Sequence, residues 1–552
     1  MVNRRRNPFV VLLLALVMLA VSACGSSAPE GPGTSSPEGQ KDKEEQVNLT
    51  PKEGGTITVA FSEEPDTLDV QKSGMSTTST VGGYMGGGLL YYDTETKEIK
   101  PDLAESYTVS EDGKTLTFKI KEGITFHDGS PLTAESFKYT FERALDPATN
   151  SKSTGVLMGE VDSFEAPDEH TFIIKLKNPS APLLIRLADS GAFQPLSQQA
   201  IEQDGDQYGR NPVGVGPWKF SGWKSSELIE LVPNEDFNWG NDSMERQGPP
   251  LADKLVIKFI TENQTKVAAL ESGTVDIAFG IPAIHVKRFM DDDKFYVLED
   301  TRSGNGMMLQ MNLDKPVFQD IRVRQALNMA IQKQAIIDSV LQGMGEVAHG
   351  PLSSTMLGYD QNIESYAYTY NLEEAGKLLD EAGWVMNSNQ IREKDGQPLT
   401  LNLLASNRFN QEPQLVQGML KELGVDVKIQ TMEHATAIQM AGQGEFDLLT
   451  LSYTATDTDT LYPLLHSSQT EGLNFGQITD PVIDAALEKG RTSMNVQDRQ
   501  AAYEELQRQM VEQAYWIPLY NEKMFAIVNE RVQGVQFDAF YSVRLHDSWV
   551  NQ

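Results

Sequence analysis

Seven histidines, one cysteine and a large surplus of carboxylates are the side chains of this chain with the most chemistry to offer. The histidines stand at 127, 170, 285, 349, 434, 466 and 546, too scattered for metal-ligand spacing, and none belongs to a His-Glu-x-x-His pattern. No metal centre is expected. Asp457 and Asp459 are spaced as a general acid and base, but 78 acidic residues in 552 make such spacings common by chance. The glycine cluster Gly82-Gly83-Tyr84-Met85-Gly86-Gly87-Gly88 lacks both the Lys-Ser/Thr ending of a phosphate loop and the spacing of a dinucleotide fingerprint. Those glycines read as sites of close packing. There is no Gly-x-Ser-x-Gly elbow. The chain is therefore read as a non-enzyme, with no catalytic residue and no cofactor.

The same bias bounds the partners. Lys and Arg total 46, which leaves a formal net charge of −32, and so acidic a chain is not expected to bind nucleic acid. Arg4, Arg5 and Arg6 precede an apolar run from Phe9 to Ala20, which leads into Val21-Ser22-Ala23-Cys24-Gly25. A basic start, a short apolar core and small residues before a cleavage point make an export signal over 1–23. The run is too short to span a bilayer, which takes roughly 20 apolar residues. Removal with the signal leaves the mature chain more acidic still. Residues 24–53 are rich in Ser, Gly, Pro, Glu and Lys, with almost no large apolar residue, and read as a flexible tether.

What remains, about 500 residues from Gly54, exceeds the usual limit of a single core, so two or more lobes are expected. Strands and helices interleave along it. Leu116, Phe118 and Ile120 alternate on one face of a strand, and Thr133 is placed to cap a helix carrying Phe137, Thr140, Phe141, Ala144 and Leu145 on one stripe. Asn371 and Glu374 suit the start of another helix, which Gly383 ends. Pro413 suits the first turn of a third, Gly424 stops it, and Val425, Val427 and Ile429 alternate in the strand beyond. This is α/β grammar without a fixed repeat.

Several segments, in order, resemble a known family. They include Gly54-Gly55-Thr56-Ile57-Thr58-Val59 with Glu64-Pro65-Asp66-Thr67-Leu68-Asp69, then Leu103-Ala104-Glu105-Ser106-Tyr107, and Phe126-His127-Asp128-Gly129-Ser130-Pro131-Leu132-Thr133-Ala134. Further on come Pro212-Val213-Gly214-Val215-Gly216-Pro217-Trp218, Ala269-Leu270-Glu271-Ser272-Gly273, Asp320-Ile321-Arg322-Val323-Arg324, Glu381-Ala382-Gly383-Trp384 and Ile517-Pro518-Leu519-Tyr520. Together they identify the chain as similar to the family 5 extracellular solute-binding proteins, the peptide-type receptors of ABC importers. On the residues alone, Phe126 and Trp218 read as core aromatics, Gly214 and Gly216 as turn residues, and Arg322 and Arg324 as members of a solvated helix face or of structural ion pairs. Val21-Ser22-Ala23-Cys24 likewise resembles a lipoprotein lipobox, in which Cys24 is lipidated; a cysteine beside an ordinary cleavage point is the other reading. Being the sole cysteine, Cys24 forms no disulfide within the chain.

The resemblance implies a two-lobed, type II periplasmic-binding-protein-like fold with a hinge and an interlobe cleft. One lobe would hold 54–302, with the extra subdomain of the large peptide binders at about 98–210, and would take back 521–552; the other would hold 303–520. It implies a monomeric receptor, lipid-anchored through Cys24 on the extracytoplasmic face of the membrane, at a Gram-positive surface or on the periplasmic side, that hands solute to an ABC permease. In peptide-binding relatives an extended ligand pairs with strand segments of both lobes. Those segments correspond here to Met75-Ser76 and to Ser452-Tyr453-Thr454-Ala455-Thr456. Such relatives commonly have a tryptophan, and three residues later an aspartate that pairs with the peptide's amino group. This chain has Tyr453 and Thr456, with Asp457 one place further on. Threonine cannot supply the charge-assisted bond. Either Asp457 or Asp459 substitutes, or the ligand has no free amine there. Peptide capture, capture of another solute such as an oligosaccharide, an opine-like compound or a metal chelate, and a surface sensor or adhesin are the readings that remain.

Overall fold

One strand, Trp516–Asn529, runs through both halves of the molecule. Trp516–Asn521 and Phe525–Val528 are buried and Glu522 between them is exposed, the pattern of a strand covered on both faces except where it passes from one core to another. Trp516, Ile517, Pro518 and Tyr520 pair with Gly304–Met311, whereas Lys523 to Asn529 pair with Phe295–Thr301. The computed structural model that shows this describes residues 50–551 except 95, 539 and 541. The signal at 1–23, Cys24 and most of the tether lie outside the described residues.

The long sheet runs in space from Asp426–Met432 through Thr400–Ser406, Leu448–Thr454, Gly304–Met311, the shared strand, Ile277–Phe279, Thr56–Phe61 and Lys254–Phe259 to the hairpin Leu228–Pro233 and Trp218–Lys224. The fold is α/β and two-lobed. In the second lobe Thr400–Ser406 and Asp426–Met432 are parallel, joined by the helix Glu412–Glu422. Pro413 sits in its first turn, and Gly424 leaves it at φ +87°, a backbone angle that favours glycine. Leu309, Val323, Leu403 and Leu448 share that lobe's core, and Ile57, Val59, Trp218 and Ile257 that of the first.

A separate antiparallel sheet, in the order Ala104–Val109, Thr115–Ile120, Thr171–Leu176, Val161–Asp168, belongs to the first lobe. The helix Ala134–Leu145 covers it, starting after Thr133, whose amide donates to Ser136 Oγ at 3.2 Å. Phe137 and Phe141 pack on Phe172 with ring centroids 5.7 and 5.8 Å apart. All three are fully buried, each contributing about 2–3 kcal/mol of burial.

Candidate functional site

Between the lobes lies a small pocket. Tyr92, Ile185 and Phe540 wall it on the first-lobe side; Ser303, Thr355, Leu357 and Thr456 wall it on the second. Three elements bring the first wall together: the end of strand Leu90–Asp93, the helix Ala181–Arg186 and the turn after Gln536–Phe537. The mixture is one phenol, three hydroxyls and three apolar side chains, suited to a ligand held by few directed bonds.

The second wall rests on Leu448–Thr454. That strand pairs with Gly304–Met311 along one side, but with Thr400–Ser406 on the other only at Leu448 and Leu449. Beyond Leu449 its second edge has no strand partner among the described residues. Ala455 N donates to Ser303 O at 3.2 Å, toward the paired side. By alternation the amides of Ser452, Thr454 and Thr456 turn to the open edge. Their side chains are exposed, while Tyr453 and Ala455 are half-buried, and burial raises the Tyr453 phenol. Gly304, at φ +122°, makes the approach of the two strands possible: a Cβ there would fall 2.1 Å from Tyr453 O.

Thr456 is thus a pocket wall, and the two acids after it are structural neighbours of arginines. Asp457 Oδ1 accepts from Arg499 Nη2 at 2.5 Å and from the Asp459 amide at 2.7 Å. Both oxygens of Asp459 accept from Arg491, which also lies 3.5 Å over the Tyr462 ring. Burial works against the charges of Arg499 and Arg491, but their carboxylate partners more than offset it and hold both guanidiniums above the ordinary range. Asp457 Oδ2 is buried without a partner. Burial pushes the Tyr92 phenol up to about 12, with the Asp93 and Asp457 charges adding to it. From the first lobe, Arg186 also feels Asp457 and Asp459; burial lowers its pKa and those two charges oppose the loss.

Met75 is the residue before helix Ser76–Met85, its amide donating to Ser73 Oγ at 3.0 Å; Ser76 is exposed at the helix start. These two and Thr456 are not brought to one pocket, whose first-lobe wall is Tyr92, Ile185 and Phe540. That wall carried no signal in the sequence, since three ordinary apolar or aromatic residues drawn from distant segments have no motif spacing. The glycines of 82–88 do serve close packing: a Cβ at Gly82 would come 2.6 Å from Val70 Cγ1, and at Gly86 2.4 Å from Gln194 Oε1. Arg322 pairs with Asp320 at 2.6 Å. Arg324 is neither solvated nor ion-paired: it is buried and donates to the carbonyls of Phe318 and Gln513 at 2.6 and 3.0 Å.

The family profile of bacterial extracellular solute-binding proteins, family 5 (middle), matches residues 98–474. Oligopeptide-binding protein AppA of Bacillus subtilis (strain 168) is 26% identical over 549 residues, 97% of each chain. Its structure in complex with a nonapeptide is similar at a TM-score of 0.67 and 24% identity, covering 91% of this chain and 100% of that one. HbpA2 from Haemophilus parasuis matches at a TM-score of 0.81 and 23% identity, covering 90% and 100%. These two structural likenesses show the fold. Heme-binding protein A of Haemophilus influenzae is 29% identical, over 82% of this chain and 86% of its own.

Proposed function

The chain belongs to the bacterial extracellular solute-binding proteins of family 5, which bind solutes and catalyse no reaction, and from that premise we propose that it captures peptides in the interlobe cleft for delivery to a membrane permease. The observation that carries the peptide reading is the open edge of Leu448–Thr454 beyond Leu449. An extended main chain laid along it gains backbone hydrogen bonds from Ser452, Thr454 and Thr456 whatever its side chains are, which is the physics of a permissive peptide receptor. The full-length match to an oligopeptide-binding relative supports the same reading.

Met75, Ser76, Ser452, Tyr453, Thr454 and Thr456 are the contacts proposed for the ligand main chain. Asp457 keeps one acceptor oxygen for it, whereas Asp459 has both oxygens engaged by Arg491. The lobes, 54–302 with 521–552 and 303–520, close about Arg302–Ser303 and Tyr520–Asn521, where Arg302 N donates to Glu522 O at 2.8 Å. Export by the 1–23 signal and lipidation at Cys24 place the receptor on the outer face of the membrane, with the tether as spacer. A second reading, capture of a bulky apolar or chelated solute, draws on the Tyr92, Ile185 and Phe540 wall and on the heme-binding relative.

Native mass spectrometry of the mature protein as purified, followed by calorimetry with peptides of two to nine residues, tests the choice. Peptide binding that Ser452→Pro abolishes and Ser452→Ala leaves within about threefold supports main-chain capture, because only proline removes the edge donor. A co-purifying porphyrin, sugar or chelate with no peptide binding sinks it.

A further inference from the structure

No side chain that walls the interlobe pocket carries a charge. The ionised residues next to the wall along the chain are Asp93, Arg186, Arg302 and Asp457, and each is engaged elsewhere. Asp93 pairs with Lys100 at 2.6 Å, Arg302 with Glu522 at 3.1 Å and Asp457 with Arg499 at 2.5 Å. Arg186 donates to Leu157 O. An ammonium or a carboxylate drawn into this pocket therefore loses its water and meets no opposite charge, which is unfavourable.

What the wall does offer is hydroxyl groups, and they are not equivalent. Ser303 Oγ donates to Met356 Sδ at 2.7 Å, and Thr355 Oγ1 lies 3.1 Å from Ser353 Oγ. The hydroxyls of Tyr92 and Thr456 have no hydrogen-bond partner among the described residues. One stands on each lobe. The Tyr92 ring packs on the core that holds Phe137 and Phe172, and pairing of Tyr92 with Ile99 fixes its backbone. Thr456 is held from both sides, by the bond from Ala455 N to Ser303 O at 3.2 Å and by the pairing of Asp457 with Arg499. Burial pushes the Tyr92 phenol up to about 12, so it keeps its proton and donates throughout the physiological range.

Each hydroxyl is at once a donor and an acceptor, so the partner that suits the pair has both functions and no charge. We propose that Tyr92 and Thr456 grip an uncharged amide end of the ligand, one hydroxyl from each lobe, so that the receptor selects peptides with a blocked terminus over zwitterionic ones. This rests on the cleft being the peptide site, as in the reading above, and names the class of peptide it takes. A blocked terminus presents a C=O and an N–H where a free one presents a charge, and a neutral wall with two hydroxyls satisfies the first and not the second. Because the two residues belong to different lobes, one bound amide also ties the lobes together in the closed form.

Calorimetry on the mature protein at pH 7.5 tests this with alanine peptides of two to nine residues in four forms: free, N-acetylated, C-amidated and blocked at both ends. In the expected result the doubly blocked peptide binds tenfold or more tighter than the free one, and the single block that reproduces the gain names the end that enters the pocket. Tyr92→Phe and Thr456→Val, which remove a hydroxyl and keep the shape, each cut the preference for the blocked form at least threefold. Free peptides binding as tightly as blocked ones overturn the clamp and leave peptide capture standing. A preference that both variants retain in full also overturns it, because the preference then arises elsewhere. If no form of any peptide binds, the peptide reading falls and the clamp with it. Should a variant fail to fold, the four forms compared on the unsubstituted protein still separate a neutral pocket from one that requires a charged end.

Discussion

Arg491 holds Asp459 by two hydrogen bonds, Nε to Oδ1 at 2.8 Å and Nη2 to Oδ2 at 3.0 Å. Beside it, Arg499 holds Asp457, and the side chains of that pair are 4% and 9% exposed. Both pairs join the loop after Thr456 to the helices Pro481–Thr492 and Val496–Glu512. Their role is to fix the cleft rim in one conformation. Arg499→Leu strands a buried carboxylate and is expected to destabilise the protein by about 3–5 kcal/mol, while a joint Asp457→Leu and Arg499→Leu change recovers part of the loss. The exposed pair Lys119 and Glu105, 2.8 Å apart, is the contrast; Lys119→Ala is expected to move the guanidinium midpoint hardly at all. Equal midpoints for Arg499→Leu and Lys119→Ala would contradict this account.

Gly304 stands opposite Thr454, where the strand Gly304–Met311 pairs with Leu448–Thr454. At φ +122° an L side chain is strained, and the added Cβ would lie 2.7 Å from Ala455 N as well as 2.1 Å from Tyr453 O. Gly304→Ala is expected to cost about 2 kcal/mol or more and to weaken ligand binding, because Leu448–Thr454 must move away from its partner. Gly273, at φ +69° with nothing within 4 Å of its Cβ position, meets only the backbone penalty, and Gly273→Ala is expected to cost about 1 kcal/mol. Paired melting and binding measurements on the two variants separate strain at the site from strain elsewhere.

His127 joins two sequence motifs that lie far apart along the chain. Gly214 N donates to its Nδ1 at 3.3 Å, so Nε2 carries the proton and donates to Gly216 O at 2.9 Å. Burial, with the charge of Lys219, pushes this imidazole down to about 4. Between pH 6.5 and 4 the unfolded chain binds a proton that the folded one refuses, so acidification through that window favours unfolding, by roughly 3 kcal/mol at its lower end. Asp102, Asp189 and Asp538, raised to about 6, act in the opposite sense over the same range. The difference between the protein and His127→Gln isolates the histidine: the variant is expected to melt lower at pH 7, with the gap narrowing toward pH 4.5. Parallel melting curves would show that His127 does not titrate as its burial requires.

That histidine also shows why some of the molecule was legible in the sequence. The segments around His127 and Gly214 read as family motifs because they build one structural joint; a Cβ at Gly214 would lie 2.0 Å from Met85 O and one at Gly216 2.5 Å from Gly86 O. Local rules likewise found the helix after Thr133, the side chain of Asn371 accepting from Glu374 N at 3.0 Å, and the stop at Gly424. Arg324 escaped them, because its partner at Gln513 is far away in the chain and no local pattern records it. The pocket wall escaped for the same reason. Tyr92, Ile185 and Phe540 become a site only after the shared strand Trp516–Asn529 has returned the chain to the first lobe.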